Sequence, residues 1–463
     1  MYDYIIIGTG PSGGNIAHNL YKAGANILVL EAGKLMNKKT FPRTEADTSA
    51  RLYWGGGIEF DADAKMGFLR TRVVGGTSIV NQCLLDRFDD IAFNDWKAES
   101  GVNWFSPEHL APYYDKVENK LALHTFTPDE MNRNAQLFTQ SCEKVGVKTA
   151  FLRKGQSDCA NDRGNDCMAC LGGCHRDSKQ SSYAGYLRDD IKEGLNIQTE
   201  TEVTQLVNNG DTVTVHALQL GKAVSFQAKN IVLAGGAFGT TKMLLQSGFK
   251  KQFPALGKNF SSHPQFMSFG LFDEEIHAYK GYFQTVASKD PNLRKKGFKL
   301  ENVFAPPISA AMLFSRTGTY HQEIMRNYTR MTCIEVAVRD ENAGEIKVDN
   351  KGKLTIDKPF TDQDRKRRDS GRDLISEILT NEGAKKIHAS SFAVGLHLMG
   401  GSVMGADPAK AVVDPEFRVH GYNNMLVADS SIYPNAPGIN PSLTIMALAQ
   451  KLSDQLIGAK HGI

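Results

Sequence analysis

The 463-residue chain lacks features that define several classes of protein. No run of apolar residues approaches the ~18 that a membrane-spanning helix requires, so we predict no membrane span. The net charge is only +3, from 54 basic and 51 acidic side chains. Nucleic-acid-binding proteins carry a concentrated basic surplus, and this balance excludes a dedicated protein of that class.

The N-terminus has no basic segment followed by an apolar one, because Asp3 and a predicted strand follow Met1 at once. We therefore expect a cytoplasmic protein, with export in company with a partner subunit as the alternative. The seven cysteines are odd in number and unevenly spread. They do not form the framework of a secreted, disulfide-rich protein.

The first 33 residues predict one βαβ unit, with strands at residues 4–7 and 26–30 around a helix at residues 15–22. Both strands are continuous apolar runs, which is typical of a parallel sheet covered on both faces. Strands of the same kind are predicted at residues 230–236 and 424–429. Residues 331–338 and 344–356 alternate instead, which predicts an antiparallel sheet.

The turn after the first strand, GTGPSG at residues 8–13, fits the G-x-G-x-x-G pattern of dinucleotide-binding proteins. Gly8 permits the tight turn, Gly10 lets the backbone approach a pyrophosphate, and Gly13 lets the helix pack closely with its N-terminus toward the phosphates. Glu31 follows at the end of the next strand, where its carboxylate can accept hydrogen bonds from a ribose diol. NAD and FAD both use this unit.

Four further segments carry a family resemblance. Residues 72–81, RVVGGTSIVN, resemble the first signature of the glucose-methanol-choline (GMC) flavoprotein oxidoreductases, and residues 234–248 resemble the second. Residues 256–264, LGKNFSSHP, resemble the segment that follows it, and the block from His397 to Pro441 resembles the family's ending. On these motifs, which occur in family order, the chain is identified as a member.

The resemblance implies FAD as the cofactor and places ten residues against it. Those expected at the pyrophosphate and adenosine are Gly8, Gly10, Gly13, Glu31, Val203 and Asp429. Those expected along the ribityl chain and the flavin are Val74, Gly76, Asn81 and Pro441. Pro441 precedes the last predicted helix, whose N-terminus can stabilise negative charge on the reduced flavin.

The resemblance also implies a catalytic pair, His397 and Asn440, beside the flavin N5. A neutral imidazole can take the proton of a substrate hydroxyl, so we expect His397 to be the base. The Asn440 amide does not titrate but can donate a hydrogen bond that orients the substrate oxygen. The other histidines, including His263 and His420, are predicted to be structural.

The implied activity is oxidation of a CH–OH group by proton removal and hydride transfer to flavin N5. Oxygen, a quinone or a cytochrome-type subunit would then reoxidise the flavin. The ending resembles sugar and gluconate dehydrogenase subunits and sterol oxidases, which favours a sugar or polyol, with an alicyclic or sterol alcohol as the alternative. Two other classes stay open: a lyase or photoenzyme of this fold, and a catalytically silent FAD-binding subunit.

Four cysteines, Cys159, Cys167, Cys170 and Cys174, crowd one predicted loop. The spacing suits ligands of an iron–sulfur cluster or of zinc, and free thiols or a loop disulfide are the alternatives. Similar spacings occur in family members whose cluster passes electrons to a cytochrome. This sequence lacks the adjacent Cys-Cys pair of those members.

The expected fold is α/β, with a discontinuous Rossmann-like FAD-binding domain and an inserted α+β substrate domain built on an antiparallel sheet. The FAD-binding domain is predicted from residues 1–90, 191–266 and 389–463. A helical, cysteine-rich insertion would occupy residues 91–190, and the substrate domain residues 267–388.

Overall fold

The computed structural model describes residues 1–161, 168–341 and 343–461. Its α-helices are α1 (Pro11–Lys22), α2 (Glu45–Leu52), α3 (Asp90–Ser100), α4 (Pro107–Lys120), α5 (Arg133–Lys144), α6 (Arg188–Lys192), α7 (Gly236–Gln246), α8 (Pro291–Lys296), α9 (Pro307–Met312), α10 (Thr319–Arg326), α11 (Asp362–Asn381) and α12 (Ser442–His461).

The strands are β1 (Tyr2–Ile7), β2 (Ile27–Leu30), β3 (Glu59–Phe60), β4 (Met66–Phe68), β5 (Leu123–Thr125), β6 (Thr149–Phe151), β7 (Arg153–Gly155), β8 (Ile197–Gln198), β9 (Thr201–Asn208), β10 (Val213–Gln219), β11 (Lys222–Leu233), β12 (Pro264–Leu271), β13 (Val286–Ser288), β14 (Phe298–Asn302), β15 (Met331–Val338), β16 (Glu345–Val348), β17 (Leu354–Asp357), β18 (Lys386–Ala389), β19 (Ala393–Gly395) and β20 (Met425–Val427).

A seven-stranded sheet holds the predicted βαβ unit. Strands β8, β2, β1, the second half of β11, and β20 run parallel in that order, and β10 and β9 extend the sheet antiparallel from the first half of β11. The apolar runs of β1, β2 and β11 are buried, and α12 packs against α1 and α4. The predicted parallel nucleotide-binding sheet is confirmed.

A nine-stranded sheet forms the second layer, in the order β3-β4-β19-β12-β15-β14-β13-β6, with β18 also paired to β12. Its pairs are antiparallel except for β4 with β19. Helix α11 packs against β12, β14 and β15. The predicted α/β fold with an antiparallel second sheet is therefore confirmed.

Some local predictions need correction. Helix α1 begins at Pro11 rather than at residue 15, because proline is well tolerated in the first helical turn, where its missing N–H would be unpaired. Residues 344–356 were expected in the antiparallel sheet, but among the described strands β16 and β17 pair only with each other.

The division of the chain into five segments stays a prediction. Strands β3, β4 and β19 lie in the nine-stranded sheet, although the predicted boundaries assign them to the FAD-binding domain. Among the described helices, none combines the length and the apolar character that crossing a membrane demands.

Candidate active site

A cavity of about 1140 Å³ is lined by residues of both sheets. Small-molecule pockets typically measure ~300–1,000 Å³, so this one has room for a dinucleotide and a substrate. One side is formed where β1, β2 and β11 end, which is where parallel α/β sheets bind nucleotides. Of the predicted cofactor and catalytic residues, all except Gly13 and Val74 line the cavity.

The turn after β1 has the geometry of a phosphate site. A Cβ on Gly10 would meet nothing within 4 Å and would project into open space, whereas a Cβ on Gly13 would lie 2.0 Å from the Gly8 carbonyl oxygen. Helix α1 therefore packs directly on the turn. No side chain caps its N-terminus, no acidic residue lies in its first turn, and the buried Ser12 Oγ has no hydrogen-bond partner in the described structure. A pyrophosphate would satisfy these groups.

Glu31 is buried and holds the turn together. Its carboxylate accepts hydrogen bonds from Thr9 N (3.1 Å), Thr9 Oγ1 (2.5 Å) and Gly33 N (2.8 Å). Thr9 Oγ1 in turn accepts from Gly75 N, which ties the turn to the loop at residues 75–81. Burial raises the pKa of Glu31, and these hydrogen bonds act against the rise. Oε2 accepts both bonds from Thr9, whereas Oε1 accepts only from Gly33 N and retains a lone pair for a ribose hydroxyl.

All the other predicted cofactor residues line the cavity, except Val74. Val203 lines the cavity from β9, and Gly76, Asn81 and Pro441 line it from loops. Val74 is fully buried behind the cavity wall. Asp429 lines the cavity, but its carboxylate accepts from Gly236 N (2.7 Å), Thr240 Oγ1 and Ser431 N, so it also caps the start of α7.

Lys179 joins the loop at residues 75–81 to the cysteine-containing segment. It is buried, and its Nζ donates to the carbonyl oxygens of Ile79 (2.5 Å), Asn81 (2.9 Å) and Cys170 (2.8 Å). One cation thus satisfies three buried acceptors. No local pattern in the sequence distinguishes this lysine from the surface lysines.

His397 is in contact with His263, which we had predicted to be structural. Antiparallel pairing of Ser261 with Met399 brings the two histidines together, and their Nδ1 atoms lie 2.9 Å apart. Burial and then the charge of Lys299 lower the pKa of His397 to about 3. Burial first, then His397 and neighbouring cations, holds the pKa of His263 well below its usual range. Both shifts favour the neutral form of the rings.

One backbone group determines where the ring protons lie. Gly438 N donates to His263 Nε2 (2.8 Å), so that nitrogen carries no proton. Neutral His263 must then be protonated on Nδ1 and donate to His397 Nδ1. Neutral His397 is consequently protonated on Nε2, and it presents an N–H group rather than a lone pair at its remaining ring nitrogen.

Asn440 is oriented by a lysine that no motif in the sequence marks. Lys299 Nζ lies 2.5 Å from Asn440 Oδ1. An ammonium group only donates, so the amide oxygen must face Lys299 and the amide NH₂ must face away from it. Asn440 and His397 both line the cavity, and each presents an N–H donor to it.

Two buried glutamates line the cavity beyond Asn440. Glu301 on β14 and Glu335 on β15 are directly opposite each other in the sheet, and both are 1% exposed. Gln265 Nε2 donates to Glu335 Oε1 (2.9 Å), and Lys299 Nζ lies 3.1 Å from Glu301 Oε1. Burial, and next the charge of Glu301, raises the pKa of Glu335 well above its usual range.

The structure offers no support for the predicted metal site. Among the described residues, no group of three or more His, Cys, Asp or Glu side chains could hold a metal ion. Cys170 and Cys174 are buried, and their thiols are in contact with each other. None of the six described cysteines is in a disulfide, and Cys167 lies outside the described residues. His420 is structural, since its Nε2 contacts the Gly405 carbonyl.

Comparisons of the sequence with known proteins identify one family. Two family models, both described as GMC oxidoreductase, match residues 49–265 and 333–449. A GMC-type oxidoreductase of Mycobacterium tuberculosis is 26% identical over all of this chain and 76% of its own length. The long-chain-alcohol oxidase FAO4B of Arabidopsis thaliana is 25% identical over 98% of this chain and 67% of its own.

A comparison with solved structures supports the same fold. The crystal structure of pyridoxine 4-oxidase from Mesorbium loti superposes with a TM-score of 0.74 at 16% identity, over 98% of this chain and 99% of that one. At this identity the likeness is evidence for the fold alone.

We expect Glu31→Ala to weaken FAD binding about 10- to 150-fold, because the ribose would lose a charge-assisted acceptor of about 1.5–3 kcal/mol. Titration of the apoprotein with FAD, followed by fluorescence, measures the dissociation constant. Glu193→Ala, which removes an exposed carboxylate paired with Lys22, is the control. Equal affinity in the Glu31 variant and the control would contradict the ribose assignment.

We expect Lys179→Met to lower the free energy of unfolding by about 2–4 kcal/mol, because it leaves three buried carbonyl groups without a donor. Urea denaturation of the FAD-loaded protein measures the change. Lys192→Met, at an exposed lysine paired with Asp189, should change stability by less than about 1 kcal/mol. Similar values for the two variants would show that Lys179 does not hold the loops together.

Proposed function

The chain belongs to the GMC oxidoreductases, FAD-dependent enzymes that oxidise alcohols, and we propose that it oxidises a CH–OH group whose oxygen is held by His397 and Asn440. This proposal rests on the two N–H donors that these side chains present to the cavity. Lys299, Arg294 and Arg339 act electrostatically on the histidines and add positive charge around them. Such an arrangement favours an oxygen that becomes negative during the reaction.

This proposal changes the role expected for His397. From the sequence we expect it to be the base that takes the hydroxyl proton. The hydrogen bonds from Gly438 and His263 favour the opposite polarity, in which His397 Nε2–H donates to the substrate oxygen. His397 then assists by lowering the energy of the developing alkoxide, as Asn440 does.

The residues around the cavity fit FAD. The turn at residues 8–13 would hold the pyrophosphate, Glu31 the ribose, and the loop at residues 75–81 the flavin side of the cofactor. When bound, FAD supplies the acceptor for two electrons and for the hydrogen of the substrate's C–H bond. The protein's own contribution is to orient the alcohol, to supply donors to its oxygen and to exclude water.

The wall around the donor pair favours an alcohol with an apolar body. It includes Met267, Phe283, Val303, Phe304 and Leu313. A sugar or polyol, which the C-terminal resemblance favoured, would find polar partners in this part of the cavity mainly at Gln265, Glu301 and Glu335. The alicyclic or sterol-type alternative therefore becomes the leading substrate class, and the name of the Arabidopsis relative, a long-chain-alcohol oxidase, also supports an apolar alcohol.

Anaerobic mixing of the FAD-loaded protein with a panel of alcohols tests the proposed function. Bleaching of the flavin absorbance by an alcohol would support an oxidoreductase. A flavin that no alcohol bleaches would favour a silent FAD-binding subunit or a lyase. The panel should pair apolar alcohols with polyols of similar size, so that the apparent dissociation constants rank the two substrate classes.

We propose oxygen as the electron acceptor, because the name of the Arabidopsis relative is that of an oxidase. We expect anaerobically purified protein to contain no stoichiometric iron, acid-labile sulfide or zinc, and its reduced flavin to be reoxidised quickly by air. Metal analysis and stopped-flow reoxidation check this. Stoichiometric iron and acid-labile sulfide would instead indicate a cluster held by the four cysteines, and with it a dehydrogenase that has a protein partner.

We expect His397→Ala to slow flavin reduction ~10²–10³-fold, and Asn440→Ala to do the same, since each loses one donor to the reacting oxygen. His397→Gln is the discriminating variant, because its amide can donate but cannot act as a base. We expect it to recover part of the activity lost in the alanine variant. Equal inactivity of His397→Gln and His397→Ala would contradict the donor role and restore His397 as the base.

We expect Lys299→Met to slow flavin reduction at saturating alcohol, because the Asn440 amide would lose the contact that orients it. Lys299→Arg, which keeps a cationic donor, should recover part of the rate. Lys296→Met, on the neighbouring helix α8, is a matched control that lies outside the cavity lining. Rates for Lys299→Met and Lys296→Met that agree within a factor of two would contradict this positioning role.

A further inference from the structure

Three large apolar side chains that line the cavity are left partly uncovered by the protein. Nine large apolar side chains are exposed in the described part of the chain, and three of them line the cavity: Ile308 (51% exposed), Met312 (47%) and Leu396 (38%). Single exposed apolar residues are normal on a protein surface, but uncovered apolar area along a ligand cavity is area that an apolar ligand can cover. These three residues are referred to below as the apolar patch.

Two members of the patch lie on one short helix that continues the wall of the alcohol site. Ile308 and Met312 are four residues apart on α9, which places them on the same helix face. Between β14 and α9 the chain runs along the cavity, because residues 303–306 all line it. Strand β14 also carries Lys299, the residue in contact with Asn440. One continuous segment therefore leads from the neighbour of Asn440 to the patch.

The third member of the patch is next to the other donor. Leu396 directly follows β19 and precedes His397. The end of α9 is joined to the segment before β19, because Ser391 N donates to the Leu313 carbonyl oxygen (2.8 Å). The two segments that carry the patch are thus hydrogen-bonded to each other, and each leads to one of the two donors. The patch belongs to the alcohol side of the cavity.

Helix α9 is held in place by a carboxylate from another helix. It has no side-chain cap of its own, and Glu45 on α2 accepts from Ile308 N (2.8 Å), Ser309 N (2.6 Å) and Ser309 Oγ (2.6 Å). These bonds satisfy donors of the first helical turn that no intrahelical partner can reach. Ile308 and Met312 are therefore fixed in position although half of their surface is uncovered.

We propose that the apolar patch binds the far end of an elongated apolar alcohol and selects substrates by their length. The inference rests on the proposed function and deepens it by naming the residues that recognise the substrate body. With the hydroxyl at His397 and Asn440, the body of the alcohol follows residues 303–306 and its end covers the patch. Each methylene group removed from water strengthens binding about fourfold, so a short alcohol that reaches only the donors binds weakly.

Straight-chain alcohols and sterols both have such a body, and two matched pairs of alcohols distinguish them. The pairs are 1-butanol with 1-dodecanol, and cyclohexanol with cholesterol carried by cyclodextrin. Each is mixed anaerobically with the FAD-loaded enzyme, and the limiting rate of flavin reduction and the apparent dissociation constant are measured. Bleaching by 1-dodecanol or by cholesterol supports the proposal and identifies the shape of the body. Bleaching by the short members alone would overturn it.

Ile308→Ser and Met312→Ser remove the patch at positions where little of the side chain is packed. We expect each to raise the apparent dissociation constant of the elongated alcohol about 4- to 16-fold, the equivalent of one or two methylene contacts. The constant for the short partner should change less than twofold, and the limiting rates less than threefold. Leu218→Ser, at an exposed leucine outside the cavity lining, is the matched control and should change neither constant.

Equal weakening of the short and the elongated alcohol would overturn the proposal, as would variants that behave like the Leu218 control. Binding of the variants to phosphatidylcholine vesicles is measured in parallel. Loss of vesicle binding with unchanged dissociation constants would assign the patch to a membrane surface and overturn the proposal as well.

A ligand that cannot be oxidised as an alcohol separates this inference from the proposed function. Dodecyl methyl ether has the apolar body but no hydroxyl group, and its binding is followed by the shift of the oxidised flavin absorbance. We expect Ile308→Ser and Met312→Ser to weaken it by the same factor as 1-dodecanol. Patch-dependent ether binding in an enzyme that no alcohol bleaches would refute the proposed function alone. Equal ether binding by the wild type and both variants would refute the patch alone.

Discussion

The backbone N–H of Gly438 is the contact on which the chemistry of the site depends. It occupies His263 Nε2, and through the two imidazole rings it determines that His397 presents a donor. The loop that contains Gly438 is itself anchored by Arg339. This side chain donates to the carbonyl of Ala436, two residues before Gly438, and pairs with Asp95. A loop that precedes α12 by only a few residues thereby controls a histidine that is 41 positions earlier in the chain. Displacing this loop would alter the proton arrangement without touching either histidine.

A fully buried ion pair, whose partners lie just after β15 and β17, lies beside the same site. Lys358 and Asp340 lie 2.9 Å apart with no exposure, and Asp340 also accepts from Ser262 N, next to His263. Such a pair adds little net stability compared with apolar residues, but removal of one partner is costly. Through this contact with Ser262, the ion pair fixes the backbone at the start of β12. It keeps His263 within reach of His397 while the surrounding core remains apolar.

The sequence predicted those features that local patterns determine. The turn at residues 8–13, the strands around it, and the cavity positions of His397 and Asn440 follow from motifs whose physical requirements are local. His263, Lys299 and the Glu301–Glu335 pair were missed because their roles arise from strand register. A one-residue slip between β14 and β15 would put the two glutamates on opposite faces of the sheet, and no turn signal in the sequence specifies that register. The direction of the His397 hydrogen bond depends on a backbone N–H, which no side-chain pattern reveals.

Burying the polar side chains of the second sheet costs free energy of folding, and the fold alone does not require it. Gln265, Glu301 and Glu335 lie buried on adjacent strands, and Gln265 Oε1 lacks a hydrogen-bond partner in the described structure. Burying such groups destabilises a protein unless they are paired, so local violations of this kind mark functional positions. The loops after the parallel strands hold most of the residues assigned to the cofactor, whereas the antiparallel strands contribute Gln265, Glu301 and Glu335 to the cavity wall. Substrate choice can therefore change through the second sheet while the cofactor site stays intact.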